Sequence, residues 1–335
     1  MPSLTSSRPE GLRLPDPQLD ARVSARLLEV EQLLRDSVVS DYPFVTMAAR
    51  HLVEAGGKRF RPLLTVLASQ FGDAEAPEVI PAAVVVELTH LATLYHDDVM
   101  DEAPLRRGAV SANARWDNTV AILTGDFLFA RASDLLADLG PQAVRIQART
   151  FERLCTGQIR ETIGPADGED PITHHVEVLA DKTGSLIATA GRFGAMMAGA
   201  DQQTIETLAT FGERIGVAFQ LADDLVDITS AQTQSGKTPG TDLREGIATL
   251  AVLHARTSTD PTDARLLALT AAPIHDDAEH AEALALLRAH PAIELARAEA
   301  HRWADDARAA LAPLPVGPAR EALELLCDYV VDRTG

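Results

Sequence analysis

The chain has 335 residues, a mass of 35.8 kDa, 46% hydrophobic residues and a formal net charge of -19. That size holds a sizeable core, as one large helical domain or two smaller ones. The acidic balance, with no basic stripe and no interleaved aromatic patch, argues against nucleic acid as a partner, and any anion site must be built locally from a few Lys and Arg and bound metal.

Residues 1–17 lack an apolar signal-like core and read as a mobile tail, with residues 18–335 as a single all-α domain. After Pro17 nearly everything has helical period. Leu27, Leu28, Val30, Leu33 and Leu34 form the apolar stripe of a first helix. A second helix is expected from near Tyr42 to Glu54, stopping at Gly56-Gly57, and a third from near Arg61-Pro62. Pro81 to His96 is almost wholly apolar and predicts a helix buried on most sides. Long helices are expected over 111–139, 143–163 and about 205–228. Residues 232–240 hold the clearest Gly/Pro punctuation, and helices separated by prolines continue to the end. No uncharged apolar stretch is long enough to span a bilayer. Cys155 and Cys327 lack ligand spacing and read as buried thiols of a cytoplasmic chain.

Two of these helices end in the same pattern. Asp97-Asp98-Val99-Met100-Asp101 and Asp223-Asp224-Leu225-Val226-Asp227 both read Asp-Asp-x-x-Asp. Positions i and i+4 share a helix face, so each cluster aims at least two carboxylates one way. Carboxylates at a helix C-terminus oppose the macrodipole, and like charges this close repel unless a cation neutralises them. Alone, one such cluster is an ordinary solvated helix end. Two in similar apolar contexts point to a hard, oxygen-liganded ion such as Mg2+, its remaining positions filled by water and phosphate oxygens.

Cations accompany the carboxylates. Gly56-Gly57-Lys58-Arg59-Phe60-Arg61-Pro62 puts three at a helix start, where unpaired N–H groups and the positive dipole end favour an anion. Arg106-Arg107-Gly108 follows the first cluster, and arginine offers planar, bidentate contacts to phosphate. Lys182-Thr183-Gly184 lies at an expected helix break, and Lys237 lies in the Gly/Pro loop. Gln220 precedes Asp224 by one turn. His90, on the apolar helix, reads more readily as a core histidine.

Together these blocks resemble the trans-isoprenyl diphosphate synthases, or polyprenyl synthetases, from about residue 20 onward. The resemblance implies a bundle of long antiparallel helices around a deep cavity, with the two Asp motifs across its mouth. It implies Mg2+, three per active site, on Asp97, Asp98, Asp101, Asp223, Asp224 and Asp227. Arg106, Lys182, Thr183, Gln220 and Lys237 would hold an allylic diphosphate, and Lys58, Arg61, His90 and Arg107 isopentenyl diphosphate. It also implies a homodimer, with transient membrane contact for product release. One position departs from the pattern: Ile247 stands where the family often has lysine, with Arg244 close by in sequence.

Short-chain family members carry bulky aromatics four and five residues before the first Asp motif. Here Ala92 and Thr93 are small and Thr89, deeper still, is not aromatic. The expected product is therefore long, C30 to C50, for a quinone side chain, and Ala92→Phe is expected to shorten it. Phe127 or Phe129 could cap the tunnel and leave a C20 product. The rival readings are a terpene cyclase, a head-to-head synthase, and a catalytically silent regulatory subunit. Two intact Asp motifs and a second set of cations weigh against them.

Overall fold

A computed structural model describes residues 12–230 and 239–332. The helices run in chain order as α1 (Pro17–Ser37), α2 (Pro43–Glu54), α3 (Phe60–Ala68) and α4 (Val79–Met100). A two-stranded hairpin follows, β1 (Leu105–Arg106) with β2 (Ala109–Val110), and then α5 (Ala112–Arg115), α6 (Asn118–Leu139) and α7 (Pro141–Ile163). Next come α8 (Pro171–Leu179), α9 (Ser185–Met197), α10 (Gln202–Thr229), α11 (Thr241–Glu245) and α12 (Leu250–Arg256). The last four are α13 (Ala264–Leu269), α14 (Asp277–Ala289), α15 (Ala292–Ala310) and α16 (Pro318–Val331). The all-α class read from the periodicity is what the fold shows.

The chain divides into two compact units: Met1–Glu152 with Leu186–Gly212 and Ala310–Leu325, and Arg153–Ser185 with Glu213–Ala309 and Leu326–Gly335. In the first, α4 is the central element, packed by α1, α3 and α6. Val84, Val85, Val86, Leu88, Leu91 and Ala92 have no exposed surface, so burial falls on every side of the helix. By length and composition α4 would also span a membrane, but 72% of its apolar window is buried in this unit. The sequence-based count overlooked it because Glu87 and His90 interrupt the run. Tyr95 stitches α4 to α2: its hydroxyl donates to Ala48 O at 2.6 Å and accepts from the Leu52 N–H at 3.2 Å. That bond fixes the end of α2 and the Gly56-Gly57 loop after it. The second unit has its own core around Leu221, Ile228, Leu250, Val252, Leu287 and Ile293.

Four expectations need correction. Leu12 and Leu14, inside the expected tail, are buried, and the Asp16 carboxylate caps α1 through the Leu19 N–H at 2.6 Å. The helix expected over 111–139 is broken at Trp116-Asp117, because the Asp117 side chain caps α6 through the Val120 N–H at 2.8 Å. No break falls at Lys182; a π-helical turn, Ala180–Gly184, joins α8 to α9. Finally, Cys155 is exposed and only Cys327 is buried.

Candidate active site

The first acidic cluster is delivered by the C-terminal turn of α4, with Asp101 as its C-cap. Asp98 is fully buried. Its Oδ1 accepts from Arg106 Nε at 2.5 Å, while Oδ2 is buried without a hydrogen-bond partner. Burial raises the Asp98 pKa against the pull of Arg106. Arg106 also reaches Asp101 at 3.3 Å.

The hairpin decides where the two arginines go. Arg107 and Gly108 both have positive φ, 54° and 75°, the geometry of a type I′ turn. Arg106 therefore turns back onto the acidic cluster. Arg107 instead donates to the carbonyls of Leu52, at 3.3 Å, and Gly56. Gly57 makes room for it, since a Cβ there would sit 2.8 Å from Arg107 Cζ. Arg61 shares this neighbourhood: burial, opposed by Glu87 and reinforced by Arg107, lowers its pKa to about 10. It stays cationic at neutral pH. His90 is held well below the usual histidine range by burial and by Arg61 and Arg107, so it is a neutral imidazole among cations. Lys58 is exposed. The first unit thus brings Arg61, His90 and Arg107 into one neighbourhood.

Sequence reasoning gave Arg59 no role of its own, and the structure makes it the hub of this region. It starts α3 with φ 46°, left-handed for a non-glycine residue. Its guanidinium is buried, donating to Glu87 Oε1 at 2.8 Å, to Val53 O at 3.0 Å and to the Glu31 carboxylate. Glu87 also lies 4.0 Å from Arg107. The only available signal was the unexplained glutamate at position 87 in an otherwise apolar helix.

The second unit holds the other cluster on the last turns of α10. Thr183 Oγ1 donates to Gln220 Oε1 at 3.1 Å, and Gln220 Nε2 donates to Asp224 Oδ1 at 2.9 Å. Burial, with Asp223, Asp227 and Glu161 nearby, raises the Asp224 pKa to about 7. His175, which no motif flagged, faces the other oxygen: its Nε2 lies 3.8 Å from Asp224 Oδ2. Lys182 pairs with Glu161. The π-turn that carries Lys182 and Thr183 is a form frequently found at functional sites. Arg244, near Ile247, is paired with Asp277 at 2.7 Å. Lys237 lies outside the described residues.

These carboxylates fit divalent ions. Asp98 has an orphaned buried oxygen, and Asp224 sits among three other acids. Among the described residues no three His, Cys, Asp or Glu side chains already converge on one point. An ion here would complete its shell with water and phosphate oxygens, as Mg2+ does readily. A pH-dependent stability follows. Asp224, raised from 3.8 to about 7, keeps a proton in the folded chain that the unfolded chain loses. Metal-free stability should therefore fall as pH rises from about 4 to 7. A divalent ion such as Mg2+ bound there would displace that proton, so the melting-temperature gain on adding Mg2+ should be larger at pH 8 than at pH 5.5. Equal gains at both pH values would contradict this account.

A helical fold with acid-rich helix ends beside arginine and lysine defines a protein that handles diphosphates. The sequence profile of the polyprenyl synthetase family matches residues 43–287. The nonaprenyl diphosphate synthase of Mycobacterium tuberculosis is 51% identical over 326 residues, 97% of each chain. A crystal structure of geranylgeranyl pyrophosphate synthase from Corynebacterium glutamicum, complexed with calcium and isoprenyl diphosphate, matches with a TM-score of 0.85 at 47% identity. It covers 97% of this chain and 100% of that one. A polyprenyl synthase from Caulobacter crescentus, in the same kind of complex, matches at 0.87 and 36% identity over 95% and 98%. The chain belongs to the polyprenyl synthetase family, and it is a prenyltransferase.

Proposed function

We propose that this chain condenses isopentenyl diphosphate head-to-tail onto an allylic diphosphate and repeats the step to a C30–C50 all-trans product. The observation that carries this reading is the pairing, within one chain, of two buried-carboxylate clusters with two separate sets of cations. A cyclase needs no second diphosphate site. A silent subunit has no use for clustered carboxylates whose burial is a cost to the metal-free fold. The named relatives include a C45 synthase at 51% identity, which favours a long product.

Magnesium, three ions on the six aspartates, would supply Lewis-acid stabilisation of the leaving diphosphate. The chain's own residues do the rest. Arg106, Lys182, Thr183 and Gln220 orient the allylic diphosphate; Lys182 exchanges Glu161 for a phosphate oxygen when substrate arrives. Lys58, Arg61 and Arg107 hold isopentenyl diphosphate, and neutral His90 donates one N–H without adding charge. Breaking the allylic C–O bond leaves a carbocation; the isopentenyl double bond attacks it, and the departed diphosphate removes the proton that restores a double bond. Closing the site over both substrates would exclude water that would quench the cation. The enzyme is expected to work in the cytoplasm as a homodimer, with its apolar product passing to a membrane.

Chain length is read from α4. Ala92 is fully buried, and its carbonyl lies 3.1 Å from where a Cβ on Gly125 would stand. A phenylalanine at Ala92 would therefore overpack the α4–α6 contact at a cost of about 1–3 kcal/mol. Thr93 is partly exposed. Thr93→Phe is thus the variant expected to shorten the product while keeping turnover. The deciding experiment is the pure protein with radiolabelled isopentenyl diphosphate and C5, C10, C15 and C20 primers, its products separated by chain length. Failure to elongate any primer ends the synthase reading. An unchanged product from Thr93→Phe removes residue 93 from the chain path.

A further inference from the structure

Below Thr93 the α4 face is closed by a buried polar contact. Gln147 of α7 donates from Nε2 to Thr89 Oγ1 at 2.7 Å, and both residues are buried. The Thr89 hydroxyl in turn donates to Val85 O at 2.8 Å. One turn further along α7, Thr150 and Thr189 of α9 share a buried hydroxyl–hydroxyl bond of 2.6 Å. The Gln147 amide is only half satisfied: its Oε1 is buried without a partner. A buried amide carbonyl left unpaired is a standing cost, and a pair that carries it is easier to displace than a packed apolar contact.

The depth of this contact matters. Thr89 precedes Asp97 by eight residues, or about 12 Å of helix. An extended isoprene unit adds about 5 Å, from C–C bonds near 1.5 Å. A chain anchored at Asp97 and growing down this face past Thr93 therefore meets the pair after two to three units. We infer that Gln147 is a chain-length determinant: with Thr89 it closes the path at the C10–C15 stage, and longer products form only when its amide swings aside. This rests on the synthase reading above and adds a specificity residue on α7, a helix that sequence reasoning left out of the site.

The test is the product distribution of Gln147→Ala, Gln147→Leu, Thr89→Val and Gln147→Phe, each checked for a wild-type-like circular dichroism melt. Losing the hydrogen bond in Gln147→Ala or Thr89→Val should lower the fraction of product stalled at C10–C15 by about fivefold, the weight of one net hydrogen bond. Gln147→Phe, which cannot swing aside as easily, should raise that fraction. Gln147→Leu keeps the volume without the amide and stands in if the alanine variant does not fold. An unchanged distribution in Thr89→Val and in the alanine or leucine variant overturns the inference, whatever the phenylalanine variant does. A wild-type chain that makes no prenyl product would overturn the synthase reading instead.

Discussion

Asp224→Asn is expected to lower turnover by about a thousandfold or more while leaving the melting temperature unchanged or higher. The two halves of that result come from the same environment. Burial and three neighbouring acids raise the Asp224 pKa, so the metal-free fold gains when this charge is removed. Asparagine keeps the shape and still accepts from Gln220 at the oxygen that now receives its amide. Charge to hold a divalent ion is what is lost, and with it the stabilisation of negative charge building on the leaving diphosphate. A residue serving only the fold would show the opposite, a lower melting temperature with turnover preserved. Steady-state assay and differential scanning calorimetry on the same preparation separate the two cases.

Glu87→Ala is expected to act on stability first. The Arg59 guanidinium beside it is about as buried as Glu87 itself, and removing Glu87 leaves that buried charge with Glu31 as its one carboxylate partner. Such losses cost about 3–5 kcal/mol. For a chain of this size that is a melting-temperature drop of roughly 4–7 °C. The damage should spread to the substrate side, because Arg59 ties down α3 and the carbonyl of Val53, and Glu87 sits near Arg107. A weaker KM for isopentenyl diphosphate should therefore accompany the stability loss, with the KM for the allylic primer little changed. Glu87→Gln, which keeps an acceptor for Arg59, should recover part of both. A melting temperature within a degree of wild type in the alanine variant would remove Arg59 as the hub of this region.

Much of this was legible in the sequence for identifiable reasons. Helical period and Pro/Gly punctuation located α2, α4, α7 and α10 because each is long and bounded by strong signals. The Asp clusters stood out because acidic residues at the end of an apolar helix contradict the helix dipole. Gln220 was found by simple spacing, since a residue one turn before Asp224 must share its face. What stayed hidden depends on contacts between helices. His175 is one of two adjacent histidines on α8, and nothing in its spacing says that it faces Asp224. Gln147 is one of three glutamines on α7, and only tertiary packing brings it to Thr89. Arg106 and Arg107 look equivalent in the sequence; a two-residue turn with positive φ sends one to the carboxylates and the other to backbone carbonyls. The Trp116-Asp117 break escaped notice because a strong capping aspartate sits inside what otherwise reads as unbroken helix.

The two thiols differ in a way that has a practical use. Cys155 is exposed on α7, whereas Cys327 has no accessible surface. The unaltered enzyme therefore offers one addressable sulfur. Partial burial raises the Cys155 pKa, so a maleimide dye should couple to it slowly at neutral pH and faster under mildly alkaline conditions. One fluorophore per chain, placed without mutagenesis, would let ligand-induced rearrangement of α7 be followed in real time as each diphosphate is added.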